Sequence, residues 1–260
     1  MSMPADATPS LFRRVVEIVS LCVGLAVVWQ LLVIGFNLNQ AFAPSSSKVI
    51  RALWDFRGLF LKDTVFTFVW VVVGFLVTVV IATGAAIVLH LMPQALSRPV
   101  YGMLVILQSV PVFAIAPALY YWTGVGKLLR LVIIVLVAFF PVLVNTADGL
   151  RSIDRELLDL FESMNATKWQ RLKHLEVPSA LQMIVAGLKI TVTMCVIGVV
   201  VAEMIVGEMI GLGYRPKEAS AHFRLDEVMA AVVLLAVIVV ALYGLVALIT
   251  RRLQPWREKI

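Results

Sequence analysis

An all-α membrane protein with six transmembrane helices is the fold class this sequence predicts. Bulk composition, a series of long apolar runs and one polar island between them carry that prediction. Hydrophobic residues make up 61% of the chain and charged residues 15%, against roughly 45–50% and about 25% in soluble domains. Mean hydropathy is +0.98. A soluble fold of this size cannot hide so much apolar surface, so the solvent is a bilayer.

The apolar runs fall at 15–36, 64–91, 101–122, 128–145, 180–206 and 228–250. Each is near or above the ~20 residues a helix needs to cross the hydrocarbon. Runs of Val, Ile and Leu at this length argue for helix over strand. The gaps carry turn chemistry, as in Pro44-Ser45-Ser46-Ser47 and Gly124-Val125-Gly126. Arg13-Arg14 before the first run and Ala41-Phe42-Ala43 after it imitate a cleaved signal peptide. The stretch is longer than the roughly 7–15 residues of such a segment, so it is read as a retained helix. Residues 1–260 thus read as a single transmembrane domain.

Cys22 and Cys195 both lie inside apolar runs, offer no metal-ligand spacing and are read as packing. No metal site is expected. The formal charge of +6 is ordinary for a membrane protein with basic edges, and the bases flank spans without forming a patch. Nucleic acid is therefore not an expected partner, whereas membrane lipid is. With the N-terminus inside, the cytosolic side receives Arg13, Arg14, Arg98, Arg151, Arg155, Lys168, Arg171 and Lys173, then Arg251, Arg252, Arg257 and Lys259. The outer side receives Lys48, Arg51, Arg57, Lys62, Lys127, Arg130, Arg215, Lys217 and Arg224. The bias is small, and the pair Arg251-Arg252 after the last run is its strongest element. Both termini and the polar island are then cytoplasmic.

The island, residues 148–178, interleaves acids and bases through a helical apolar stripe. Asp154 is placed to cap a helix, with Glu156 in its first turn. Leu157, Leu158, Phe161 and Met164 follow at helical spacing. Asn165 tolerates a left-handed turn and ends that helix. Thr167 and Gln170 match a capping box that starts a second helix with Trp169, Leu172 and Leu175; Pro178 closes it and opens the fifth run. The predicted product is a helix–turn–helix with an exposed knob at 165–169. On residues alone, an amphipathic loop lying on the membrane surface is an equal reading.

The island resembles the coupling motif of ABC-importer permeases, a Glu-Ala-Ala, a Gly three residues on and a distal Ile-x-Leu-Pro. Asp159-Leu160-Phe161 takes the first place, Asn165 the Gly place, and Leu175-Glu176-Val177-Pro178 the last. Only the acid survives at the start; Asn at the Gly position preserves the turn. Ser109-Val110-Pro111 with Ala116-Pro117, Phe139-Phe140-Pro141, Ala166–Gln170, Gly187-Leu188 and Gly211-Leu212-Gly213-Tyr214 are similar to the nitrate/sulfonate/taurine group of permeases. Asn145–Leu150 leans towards its pyrimidine-precursor and riboflavin-like branch.

The resemblance implies the type I ABC-importer permease fold with a cytosolic coupling helix, in a bacterial plasma (inner) membrane. It implies a homodimer of permeases, two ATPase subunits docked beneath and an extracytoplasmic substrate-binding protein. ATP and Mg then belong to the partner ATPase, and this chain binds no cofactor and has no catalytic residues. Asp159, Glu162, Met164, Asn165, Ala166, Thr167, Lys168, Trp169, Arg171 and Pro178 become the ATPase-coupling residues. Met164 and Trp169 would be its apolar anchors. Arg171 and Lys173, opposite Glu162 and Glu176, would set orientation as rim charges do. Gly126-Lys127 imitates a phosphate loop, but Tyr121 and Leu128 stand where its first Gly and its Ser/Thr belong.

Polar groups inside spans are costly and default to the transport pathway. Gln108, Ser109, Asn145, Thr146, Thr191, Thr193 and Glu203 are the candidates, against the alternatives that Ser and Thr bond their own helix and that Glu203, near the outer end, pairs with a neighbouring base. Lys189 is read as reaching back to the interface. The cargo expected is a small polar or anionic organic solute. A secondary carrier working without an ATPase would show more spans and mid-depth charges. An intramembrane enzyme would need a catalytic cluster, whereas His90, His174 and His222 are far apart. A purely structural subunit leaves the island unexplained.

Overall fold

In the computed structural model, residues 11–36, 39 and 43–253 are described. Every regular element among them is helical. The helices are α1 Leu11–Gly35, α2 Ser46–Asp55, α3 Arg57–Leu91, α4 Gln94–Leu107, α5 Val112–Thr123, α6 Lys127–Arg151 and α7 Arg155–Ser163. Then follow α8 Lys168–Arg171, a π-turn Leu172–Glu176, α9 Val177–Val206, α10 Arg215–Ala221 and α11 Leu225–Leu253. The expected residues 1–10, Ala41-Phe42, Arg257 and Lys259 lie outside the described set, as do the side chains of Arg13, Arg14, Cys22, Arg251 and Arg252.

Four helical stretches are long and apolar enough to cross a membrane: Arg57–Leu91, Lys127–Arg151, Lys168–Val206 and Leu225–Thr250. The span expected at 101–122 is not one helix. It is the pair α4 and α5, bent by 99°. Proline chemistry explains the break: Val110 precedes Pro111, which disfavours the helical region, and Pro111 itself is extended, with φ −69° and ψ 115°. In α1 the shorter apolar part is Val23–Gly35, so six full-length spans are not reached among the described residues. The second span begins earlier than expected, at Arg57.

The described residues divide into two compact units. One comprises the chain up to Gly58 with Pro216–Ala230. There the Trp29 indole N–H donates to the Pro44 carbonyl at 3.0 Å and the Ser46 hydroxyl to the Ala26 carbonyl at 2.9 Å, which ties α2 back to α1.

The other unit comprises Leu59–Arg215 with the chain from Ala231 onward. Its centre is the seam between α6 and α9, which runs on small residues. A Cβ at Gly187 would sit 2.8 Å from the Asn145 Cβ and 2.9 Å from the Pro141 carbonyl. One at Gly198 would sit 2.9 Å from the Ile134 Cα. Without a hydrophobic force between helices in lipid, such close backbone approach is what dispersion packing requires. Ala82, Ala86 and Leu89 of α3 pack with Val142, Leu143 and Ala147 of α6. Leu129 and Ile133 pack with Val201, Ala202 and Val206 at the other end of α9.

Candidate functional site

The island folds as its local chemistry dictates. The Asp154 carboxylate accepts from the Glu156 N–H at 3.2 Å and starts α7. Asn165 has φ 52°, the left-handed conformation that turns the chain. Thr167 and Gln170 form a reciprocal capping box: the Thr167 N–H donates to Gln170 Oε1 at 2.8 Å, and the Gln170 N–H to Thr167 Oγ1 at 3.3 Å. Two orphan amides are satisfied and α8 starts.

The second helix does not end at Pro178. It runs through a π-turn, Leu172–Glu176, straight into α9, where Pro178 occupies the first turn. The wider turn lets the Val177 N–H reach the Leu172 carbonyl, and proline's missing donor costs little in a first turn. Arm and span are therefore one continuous helical rod from Lys168 to Val206.

The knob stands clear of the core. No residue of α7 is buried, and Leu160, Met164 and Trp169 are 53%, 67% and 66% exposed. Asp159, Glu162, Asn165, Thr167, Lys168 and Pro178 are exposed, and Ala166 and Arg171 half-buried. The base is anchored: Leu172 packs with Leu150 and Ala180, beside Ile87 of α3. Glu176, 1% exposed, accepts from Arg171 Nε at 2.7 Å and sits 2.8 Å from His90 Nε2 at the end of α3. Arg171 and Glu176, expected as surface charges, are thus joined to each other.

At the far end of α9, about 40 Å along the helix from Glu176 at 1.5 Å per residue, a second polar cluster closes the fold. Glu203, 1% exposed, accepts from the Thr67 hydroxyl at 2.8 Å and the Gly213 N–H at 2.6 Å. Thr67 Oγ1 accepts from the Leu212 N–H at 2.9 Å. Asp63 accepts from the Gly211 N–H at 3.1 Å and pairs with Arg215 Nε. Gly211 has φ 110°, and a Cβ there would run into the Glu203 carboxylate. Beside it, Arg130 is paired with Glu208 at 2.6 Å and stacked between the rings of Phe66 and Trp70. Sequence reasoning named Glu203 and missed Asp63, Thr67 and Arg130 as its company. The signal available was Asp63 at the mouth of an apolar run.

The other pathway candidates sit in differing environments. Gln108 and Ser109 are exposed at the α4–α5 bend. Asn145 donates to the Pro141 carbonyl of its own helix at 2.8 Å. Thr146 and Thr191 are buried with unpartnered hydroxyls, and Thr193 is half-buried. The Lys189 ammonium lies 6.0 Å from the Tyr243 ring centroid. Among the described residues, no group of three or more His, Cys, Asp or Glu is placed to hold a metal.

Fold and site together define a multi-pass, all-helical membrane protein that carries an amphipathic hairpin beyond the ends of its spans. The chain belongs to the family of binding-protein-dependent transport system inner membrane components, whose model matches residues 79–259. It is accordingly the permease component of an ABC importer. It is 31% identical to the formylaminopyrimidine transport permease protein ThiX of Halalkalibacterium halodurans, over 90% of this chain and 93% of that one. It is 27% identical to the taurine transport system permease protein TauC of Escherichia coli, over 96% and 93%. Among solved structures, the MetNI methionine ABC transporter in an inward-facing conformation matches with TM-score 0.61 at 19% identity, over 76% of this chain and 97% of that one. That likeness concerns the fold.

Proposed function

We propose that this permease couples nucleotide-driven closure of separate ATPase subunits to alternating access for a small polar or anionic organic solute. The observation that carries the reading is the hairpin 152–176. It is an exposed apolar tip on a buried, ion-paired base, continuous with a spanning helix. Such a lever transmits force instead of flexing, as a rigid-body switch requires. Met164 and Trp169 anchor in a groove of the ATPase, and Asp159, Glu162 and Lys168 orient it. Family membership supports an assembly with ATPase and substrate-binding partners; we assign the permease two copies, each taking one ATPase subunit, with ATP and Mg held there.

The hairpin and both termini face the cytoplasm in this reading. The excess of Lys and Arg on the hairpin side, with Arg251-Arg252 after the last span, supports it. The relatives' names point to a formylaminopyrimidine, taurine or similar cargo class. The test is ATP hydrolysis by the reconstituted assembly with Asn165→Pro or with 163–168 deleted. Insertion intact with hydrolysis no longer responsive to the permease is the expected outcome; an unchanged response removes the role.

A further inference from the structure

We infer that Glu176 is a positioning residue that clamps the coupling hairpin to α3 through His90, making α3 the rod that carries its motion to the opposite membrane face. The inference rests on the coupling reading above. Glu176 is buried at the π-turn, the one place where the rod Lys168–Val206 departs from α-helical geometry. Its carboxylate is divided between two partners of different origin. Arg171 belongs to the hairpin itself, five residues away, and His90 to α3, 86 residues away.

An uncompensated buried charge is expensive, so each partner of the Glu176 carboxylate matters. Loss of His90 therefore leaves Glu176 tied to the hairpin alone. The hairpin keeps its caps and exposed tip but loses its polar tie to α3.

The other end of α3 shows why that tie matters. Asp63 and Thr67, more than six turns away along the same helix, hold the amides of Gly211 and Leu212. On this inference a movement of α3 at His90 is passed to the loop that follows α9, which α9 also holds through Glu203 and the Gly213 amide. Apolar packing also joins the hairpin base to α3, through Ile87 beside Leu150, Leu172 and Ala180, but such contact is non-directional and does not fix the two elements in register as the polar tie does. Spatial continuity alone does not establish coupling, so the test reads the far end.

The experiment uses the complete assembly with its ATPase chain, in nanodiscs, with the native cysteines replaced and a spin label at Met209→Cys, which is 72% exposed on the far loop. The distance between labels on the two permease copies is measured with and without ATP–vanadate. In otherwise wild-type protein the distance shifts with nucleotide. His90→Ala and Glu176→Ala are expected to retain the ATPase chain on purification and lose that shift, and His90→Gln, which keeps a donor to the carboxylate, to restore it. A full shift in His90→Ala overturns the clamp. So does loss of the ATPase chain in His90→Ala, which makes the triad part of docking. An ATPase chain that fails to join the wild-type permease overturns the coupling reading itself and the clamp with it.

Discussion

Removing the Asp63 carboxylate should be among the most damaging single changes in this protein, and the structure sets the size. The side chain is fully buried and serves two groups, the Arg215 guanidinium and the Gly211 amide. Asp63→Ala takes a carboxylate partner away from the buried Arg215 and the acceptor away from the Gly211 amide, for a loss of about 3–5 kcal/mol. Asp63→Asn keeps an acceptor for Gly211 and forfeits the charge, for about 1–3 kcal/mol. Asp63→Ala with Arg215→Ala removes both charges, so its cost should fall short of the summed single effects by at least about 1 kcal/mol. Unfolding by detergent titration in mixed micelles reads the wild type, both Asp63 variants, Arg215→Ala and the double variant. Costs that add to within about 0.5 kcal/mol would show that the two residues do not act as a pair.

Further outcomes follow from other parts of the molecule. Gly187→Val drives a branched side chain into the Asn145 Cβ and Pro141 carbonyl, and should lower thermal stability in detergent by about 1–3 kcal/mol. An unchanged midpoint would count against the close α6–α9 seam. Asn165→Gly should leave the hairpin intact, whereas Asn165→Val, forced to φ 52°, should cost about 1–2 kcal/mol and expose 152–176 to protease. Thr167→Ala removes the acceptor for the Gln170 amide and should cost about 1 kcal/mol, visible as faster hydrogen exchange at that amide. Trp169→Ala should weaken association with the ATPase chain roughly tenfold or more, measured by co-purification under dilution.

The hairpin was legible because its determinants are local. Asp154, Asn165, Thr167 and Gln170 each act on amides or dihedrals within a few residues, and the structure has all four in those roles. The polar clusters were not legible for the opposite reason. Asp63 meets Gly211 across 148 positions, and Glu176 meets His90 across 86; nothing in a single chain's composition pairs them. Arg130 and Arg215 read as outer-surface bases because charge alone does not reveal a buried partner. The third run failed as one helix for a subtler reason. Its length and apolar character satisfy a spanning helix, but Pro111 imposes an extended backbone that hydropathy does not register. Pro178 erred in the other direction, since a π-turn absorbs the proline where sequence logic places a break.

A photo-crosslinker in place of Trp169, compared with one in place of Met209, bears most directly on the whole account. Position 169 should capture an ATP-hydrolysing chain with a yield that changes on nucleotide binding, and position 209 should capture none of it. Capture of that chain from 209, or of an extracytoplasmic protein from 169, would contradict both the direction of the hairpin and its role.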